Sequence, residues 1–264
     1  MTAMKTIKSL VLAAAFALGV GSVAVPSAPV HAAGGGPTPT SQNWSFNGFF
    51  GTWDYASLQR GFQVYKEVCS SCHALSLVSY RHLEMIGFSE EEVAAIADDY
   101  WVTDGPDEWG DMFDRPAIPA DRFASPFPNE EAARAANAGA YPVDLSVITQ
   151  ARHYGPDYLY AFIQGFRDDA PDDVVLRPGQ YYNYYYGGAI AMPPMLWPDG
   201  VVYSDGTEAT VQQQAWDITN FLMWTAEPHL QTRKQAGLGV MIFLIVLTAF
   251  MYAVKRKLWA DVKH

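Results

Sequence analysis

The only two cysteines of the chain fall in one pentapeptide, Cys69-Ser70-Ser71-Cys72-His73, and Cys-x-x-Cys-His is the spacing that attaches a c-type haem covalently. Thiols at that separation can add across the vinyl groups on one edge of a porphyrin, while the histidine next in sequence reaches the iron as proximal ligand. A bare Cys-x-x-Cys disulfide, with His73 incidental, is the competing reading. Zinc fits less well: it takes four ligands, no cysteine remains, and His82, His153, His229 and His264 show no paired spacing.

Both ends carry apolar segments of different kinds. Residues 1–32 combine a basic start at Lys5 and Lys8, an apolar run from Leu10 to Val25 and a small-residue site at Val30-His31-Ala32, the pattern of a cleaved secretory leader. The segment contains no arginine, which argues against a mitochondrial presequence and for bacterial export. Near the other end, Ala236 to Val254 holds no charged residue. As a helix at about 1.5 Å per residue it spans roughly 28 Å, matching a hydrocarbon core of about 30 Å. The expected division is therefore a signal peptide over 1–32, an exported domain over 33–232, a transmembrane anchor over 233–255 and a cytoplasmic tail over 256–264. This puts the domain in the periplasm, held by a single pass to the bacterial inner membrane.

The exported domain is strongly acidic. Residues 33–232 hold nine Lys and Arg against 27 Asp and Glu, a balance of −18, with much of the excess between Glu90 and Asp114. Such a field disfavours nucleic acid and anionic lipid and draws in basic proteins. Proline and glycine scattered from Gly105 to Gly206 predict loops punctuated by short helices, and no alternating pattern suggests a large sheet. Gly34 to Ser41 reads as a flexible mature N-terminus. Leu58, Phe62, Tyr65 and Val68, before the motif, recur at helical spacing. After the loops, Ala215, Ile218, Phe221, Leu222 and Thr225 do the same until Pro228 stops the helix. Gly61, Tyr65 and Cys69 repeat in steps of four, as in the helix that opens a small c-type cytochrome and crosses its C-terminal helix. There glycine would let two backbones approach closely, with Phe221 and Trp224 as the aromatic pair at the crossing.

A haem that only carries electrons has both axial positions filled, and the common partner of histidine is methionine, which raises the potential. Met241 and Met251 lie in the apolar run, Met223 lies beside core positions, and Met85 and Met112 sit in or near acidic stretches. Met192 and Met195 remain, in Ile190-Ala191-Met192-Pro193-Pro194-Met195. The two prolines stiffen the segment that follows Met192, which makes Met192 the candidate sixth ligand; core filling is the alternative use of a methionine.

The resemblance that emerges rests on RGFQVYKEVCSSCH at 60–73, Tyr80-Arg81-His82-Leu83, Asp104-Gly105-Pro106-Asp107-Glu108, Met112 to Pro116, Pro128-Asn129 and AARAAN at 132–137. It continues through Asp144-Leu145-Ser146, Ala151-Arg152-His153, Met192-Pro193-Pro194 and Ala226-Glu227-Pro228. The chain resembles, over nearly all its mature length, the cytochrome c1 family, haem subunits of the quinol:cytochrome c oxidoreductase (bc1) complex, in its bacterial form. The resemblance implies a mainly α, class I cytochrome c-like haem domain with long loop insertions and one C-terminal transmembrane helix. It implies one haem c attached at Cys69 and Cys72, iron ligands His73 and Met192, a propionate-binding arginine at Arg152 and a haem-contacting tyrosine at Tyr158. It also implies a redox carrier that is not by itself an enzyme. Its partners would be a cytochrome b subunit, a Rieske iron-sulfur subunit as electron source and a soluble basic c-type cytochrome as acceptor, with membrane lipid around the anchor and no nucleic acid. The chain departs from the family where a second proline often precedes Asp-Leu-Ser, since Pro142 is followed by Val143. It also lacks the extra cysteine pair that braces the ligand loop in some bacterial members. Rival functions are peroxide chemistry at an open iron site, thiol:disulfide exchange at Cys69 and Cys72, and direct delivery of electrons to a terminal oxidase or photosynthetic reaction centre.

Overall fold

The computed structural model describes residues 35–262, so the leader expected over 1–32 and the last two residues of the expected tail lie outside it. Among the described residues the fold is mainly helical. The helices are α1 (Tyr55–Glu67), α2 (Glu90–Asp98), α3 (Glu130–Ala136), α4 (Gly155–Ile163), α5 (Val211–Ala226) and α6 (Leu230–Leu258), with tighter 3-10 turns at Cys69–Ser71 and Tyr80–Ile86. Strands β1 (Trp101–Asp104) and β2 (Phe113–Pro116) form an antiparallel hairpin. A second small antiparallel sheet orders β3 (Phe166–Arg167), β4 (Tyr181–Asn183) and β5 (Gly188–Ile190) in chain sequence, with Tyr182 opposite Ala189.

Helices α1 and α5 form the centre, and local chemistry sets their limits. The Asp54 carboxylate accepts the Ser57 amide at 3.1 Å to start α1, and the Thr210 hydroxyl accepts the Gln213 amide at 3.1 Å to start α5, each satisfying an amide with no helical partner. Pro228 cannot continue α5. The two helices meet at Gly61, where a β-carbon would fall 2.1 Å from the Asp217 carbonyl oxygen and 2.6 Å from the Phe221 Cβ. Around this contact the Phe221 ring lies 5.8 Å from Phe62, 6.0 Å from Tyr65 and 5.7 Å from Trp224, so the aromatic crossing predicted from spacing is present. Helix α5 is buried on all sides, polar residues included. Several of its polar groups are paired: Gln214 Nε2 donates to the Trp197 and Ala209 carbonyls, and Asp217 accepts from Ser57 Oγ at 2.7 Å, Arg60 Nε at 2.9 Å and Gln213 Nε2 at 3.0 Å, whereas Gln214 Oε1 and Thr219 Oγ1 are buried without a partner.

The acidic stretch 90–114 is folded. A reciprocal Ser89–Glu92 cap opens α2, and Arg115 ties the following hairpin together by pairing Asp104 and Asp121 at 2.5 and 2.6 Å. The segment after Gly34 corrects the expectation of a flexible N-terminus. Gln42 N and Trp44 Nε1 both donate to Asp157 of α4, at 2.9 and 2.7 Å. Gly36 lies so close to the turn after β4 that a β-carbon there would meet the Tyr185 carbonyl oxygen at 2.2 Å. Its polar, glycine-rich composition suggested mobility, but here glycine serves close packing. Helix α6, whose apolar residues are exposed along its length, is the one helix among the described residues long and apolar enough to cross a membrane.

Candidate haem-binding site

The motif begins where α1 ends, and its two central serines close that end. Ser70 Oγ donates to the Lys66 carbonyl at 2.7 Å and Ser71 Oγ to the Val68 carbonyl at 2.9 Å, satisfying carbonyls that the last helical turn leaves without partners. The Cys72 and His73 amides then both donate to the Cys69 carbonyl, at 3.1 and 2.9 Å, folding the pentapeptide into one tight turn. Cys69 and Cys72 are free thiols, both half-buried. Burial, with Cys72 adding to it, pushes the Cys69 thiol up to about 12. A disulfide-exchange nucleophile needs the opposite shift, so this environment disfavours the thiol-oxidoreductase rival.

His73 is oriented by the backbone. Its Nδ1 lies 2.7 Å from the Val143 carbonyl oxygen. A carbonyl only accepts, so Nδ1 carries the proton and Nε2 keeps the free lone pair, the tautomer a metal-ligating histidine requires. Burial lowers the imidazole's proton affinity, opposed by the Val143 carbonyl and Asp144, and this favours the neutral ring that can ligate. The Tyr65 hydroxyl fixes the same residue from behind by donating to the His73 carbonyl at 3.0 Å.

Residues 143–149 strap the segment that follows the motif. Asp144 Oδ2 accepts the Ser76 amide at 2.9 Å, the Leu145 amide donates to the Ala74 carbonyl at 2.9 Å, and Ser146 Oγ accepts the Leu77 amide at 3.1 Å. Partial burial works against the Asp144 charge, but donors from Ser146 and Ser76 outweigh it and hold the carboxyl below the usual carboxylate range. Thr149 Oγ1 donates to the Leu222 carbonyl of α5 at 3.3 Å. Sequence reasoning noticed Val143 only as a missing proline and missed its part in the site. The contribution is a backbone carbonyl, which no side-chain pattern announces, although Asp-x-Ser marks the turn that presents it.

Beyond the strap, Arg152 is half-buried, and its guanidinium bonds only the neighbouring Ala151 carbonyl, at 3.2 Å. No carboxylate pairs with it among the described residues. Tyr154, a non-glycine residue at φ +66, turns the chain just after it into α4. Tyr158, in the first turns of α4, has its hydroxyl pushed up by burial, with Arg152 opposing and Tyr186 adding. The structure thus brings both Arg152 and Tyr186 within electrostatic reach of Tyr158. Tyr186 lies in the turn between β4 and β5, and Met192 lies two residues past the end of β5. That hairpin is held by buried Asn183, which donates to the Phe162 carbonyl at 2.8 Å and accepts the Tyr185 and Tyr186 amides, both at 3.0 Å. The aromatic run Tyr181, Tyr182, Tyr184, Tyr185 and Tyr186 is therefore part strand and part turn, with Asn183 as its pin. Met195 packs against the hydrophobic core, whereas Met192, half-buried, is not part of that cluster.

Two thiols in one tight turn, an imidazole with a free Nε2 and a guanidinium short of a carboxylate make a donor set that fits a haem and its propionates. With the thiols and the imidazole carried at the end of the first of two crossing helices, they define the class: a monohaem c-type cytochrome. The match to known proteins is more specific. A model of the cytochrome c1 family matches residues 44–262. Cytochrome c1 of Rhodospirillum rubrum is 43% identical over 98% of this chain and 98% of its own length. A mitochondrial cytochrome c1 haem protein of Arabidopsis thaliana is 48% identical over 83% of this chain and 72% of its own. A Bradyrhizobium diazoefficiens protein named cytochrome b/c1 is 48% identical over 96% of this chain, which spans 39% of that longer protein. The chain belongs to the cytochrome c1 family. Its cofactor is accordingly one covalently bound haem c, and it is a redox-carrier subunit of the bc1 complex.

Proposed function

We propose that this subunit takes single electrons from a Rieske iron-sulfur protein and passes them to a soluble basic c-type cytochrome, beside a cytochrome b subunit. The haem supplies a one-electron couple. In this reading the domain is class I cytochrome c-like with long loop insertions. Cys69 and Cys72 hold the porphyrin by thioether bonds, His73 Nε2 and the Met192 thioether ligate the iron, and Arg152 with Tyr158 meets a propionate. The domain faces the periplasm of a bacterium, α6 crosses the inner membrane once, and the leader over 1–32 is removed on export. The signs that bear on orientation are the leader and the basic cluster Lys255, Arg256 and Lys257 at the end of α6.

The observation that carries the ligand reading is the contrast at the two ends of one loop: Met195 is taken up by the core, whereas Met192 is left outside it, two residues past the end of β5. His73 Nδ1 is committed to the Val143 carbonyl, which leaves its Nε2 for the iron. The test compares Met192→Leu with Met195→Leu in the full chain. Met192→Leu should keep the haem on the polypeptide in a denaturing gel but lower its potential, since a thioether favours the ferrous state. Met195→Leu should leave the potential near wild type. The reverse pattern would overturn the ligand assignment, and haem lost in denaturant from the wild type would overturn covalent attachment.

A further inference from the structure

The turn before α1 carries two phenylalanines that the core does not use. Trp44, Phe46 and Trp53 are buried, whereas Phe49 and Phe50 are 51% and 82% exposed, their rings edge to face at 5.0 Å. The turn that presents them is closed. The Asn47 amide donates to the Trp44 carbonyl and the Thr52 amide to the Ser45 carbonyl, both at 3.0 Å, while Gly48 takes a φ of +72 that glycine accepts without strain. Two side chains of α6 hold the turn in place. Gln231 Oε1 accepts the Trp53 amide at 3.3 Å, and Lys234 Nζ donates to the carbonyls of Phe46 and Gly48 at 2.5 and 2.6 Å.

These tethers fix the height of the turn relative to α6. Lys234 lies two residues before Ala236, where the uncharged run begins, about 3 Å along the axis at about 1.5 Å per residue. The exposed apolar side of α6 continues from that level through Leu238, Met241 and Ile242. We propose that Phe49 and Phe50 insert into the lipid interface beside α6, giving the haem domain a second, non-spanning hold on the membrane. The inference rests on reading α6 as the membrane anchor. Phenylalanine is among the residues that surface-bound segments bury at the headgroup–acyl boundary, and the Lys234 ammonium beside the turn is spent on two of its carbonyls. Two points of attachment would limit rotation of the domain about the anchor, which one helix alone leaves free.

The native thiols are consumed by the haem, so Phe50→Cys introduces a single reactive thiol for an environment-sensitive fluorophore. The labelled complex is reconstituted in phosphatidylcholine vesicles, with and without bromine at the middle of the acyl chains, and probed with aqueous iodide. Ile245→Cys, in the middle of the span, and Val175→Cys, on a loop residue 80% exposed, are the references. The label at 50 should be quenched several-fold more by brominated lipid, and several-fold less by iodide, than the label at 175. Phe49→Cys should behave alike. Iodide quenching at 50 equal to that at 175 would place the pair in water and overturn the inference while the anchor stands. A label at 50 reached by neither quencher would mean that a partner protein covers it, which also overturns it. Failure of brominated lipid to quench the label at 245 would remove the anchor reading itself, and this inference with it.

Discussion

Gly61→Ala tests whether the crossing of α1 and α5 depends on the absence of a single methyl group. The added carbon would start 2.1 Å from the Asp217 carbonyl oxygen and 2.6 Å from the Phe221 Cβ. Carbon atoms in ordinary contact sit about 3.5–4.0 Å apart, so the helices must separate by about 1 Å. A gap of ~0.5–1 Å forfeits a quarter to a half of each dispersion contact it opens, and the Phe62–Phe221 and Tyr65–Phe221 pairs would be opened together. Overpacking of this kind costs about 1–3 kcal/mol, occasionally more. Alanine's better helix propensity returns about 1 kcal/mol, but the neighbour here is backbone in a helix buried on all sides, which cannot swing aside. Taking the upper end of the overpacking range, about 3 kcal/mol, less about 1 kcal/mol of propensity, we expect a net loss of about 2 kcal/mol. At about 2–4 °C per kcal/mol for a domain of this size, the melting temperature should fall by roughly 4–8 °C. The assay is thermal unfolding of the full chain in detergent, followed by helical circular dichroism and by recovery of tryptophan fluorescence from haem quenching. Gly237→Ala, at a helical site with open space around it, is the control and should not lower the midpoint. A Gly61→Ala protein that melts at or above wild type would refute the reasoning, because glycine would then not be required for the approach.

Asp217→Asn should destabilise by about 3–5 kcal/mol, the usual loss when one partner of a buried ion pair is removed, since the Asp217 side chain is fully buried against Arg60; denaturant midpoints measure it. Asp205, held down to about 2 by the Thr207 amide and then by Arg60, contributes stability that is complete above the unfolded carboxyl value of 3.8 and is lost as pH falls toward 2. Asp205→Asn should therefore flatten the wild type's acid loss over that window, and an unchanged pH profile would discard the assignment. Rising ionic strength should slow electron transfer to a basic soluble cytochrome, because fields beyond about 10 Å are screened at 0.1 M salt. A flat salt dependence in stopped-flow measurements would remove electrostatic docking.

Features that depend on neighbouring residues were legible in the chain alone. The Cys69–His73 motif, the periodicity of α1 and α5, the stop at Pro228, and the uncharged run after Lys234 are each written in a few adjacent positions. Each is set by local stereochemistry or by solvent preference. Even the helix crossing could be anticipated, because Gly61 and Tyr65 fall on one face of one helix and Cys69 follows at the same step of four. The tertiary structure decided what joins distant segments. The Val143 carbonyl that fixes the His73 tautomer lies 70 residues from it. The Asp217 that pairs with Arg60 lies 157 residues away. The Lys234 that pins the Phe46–Gly48 turn lies nearly 190 away. A backbone oxygen is the same in every residue, and a carboxylate or an ammonium reads as solvated surface until folding supplies its partner. Composition likewise made Gly34 to Ser41 look mobile, whereas in the fold position 36 lies so close to the Tyr185 carbonyl that only glycine fits there. The sequence by itself determined which chemistry the chain can hold, because haem attachment needs particular side chains at a fixed spacing. Only the tertiary structure decided how that chemistry is oriented, because orientation comes from main-chain groups that carry no identity in sequence.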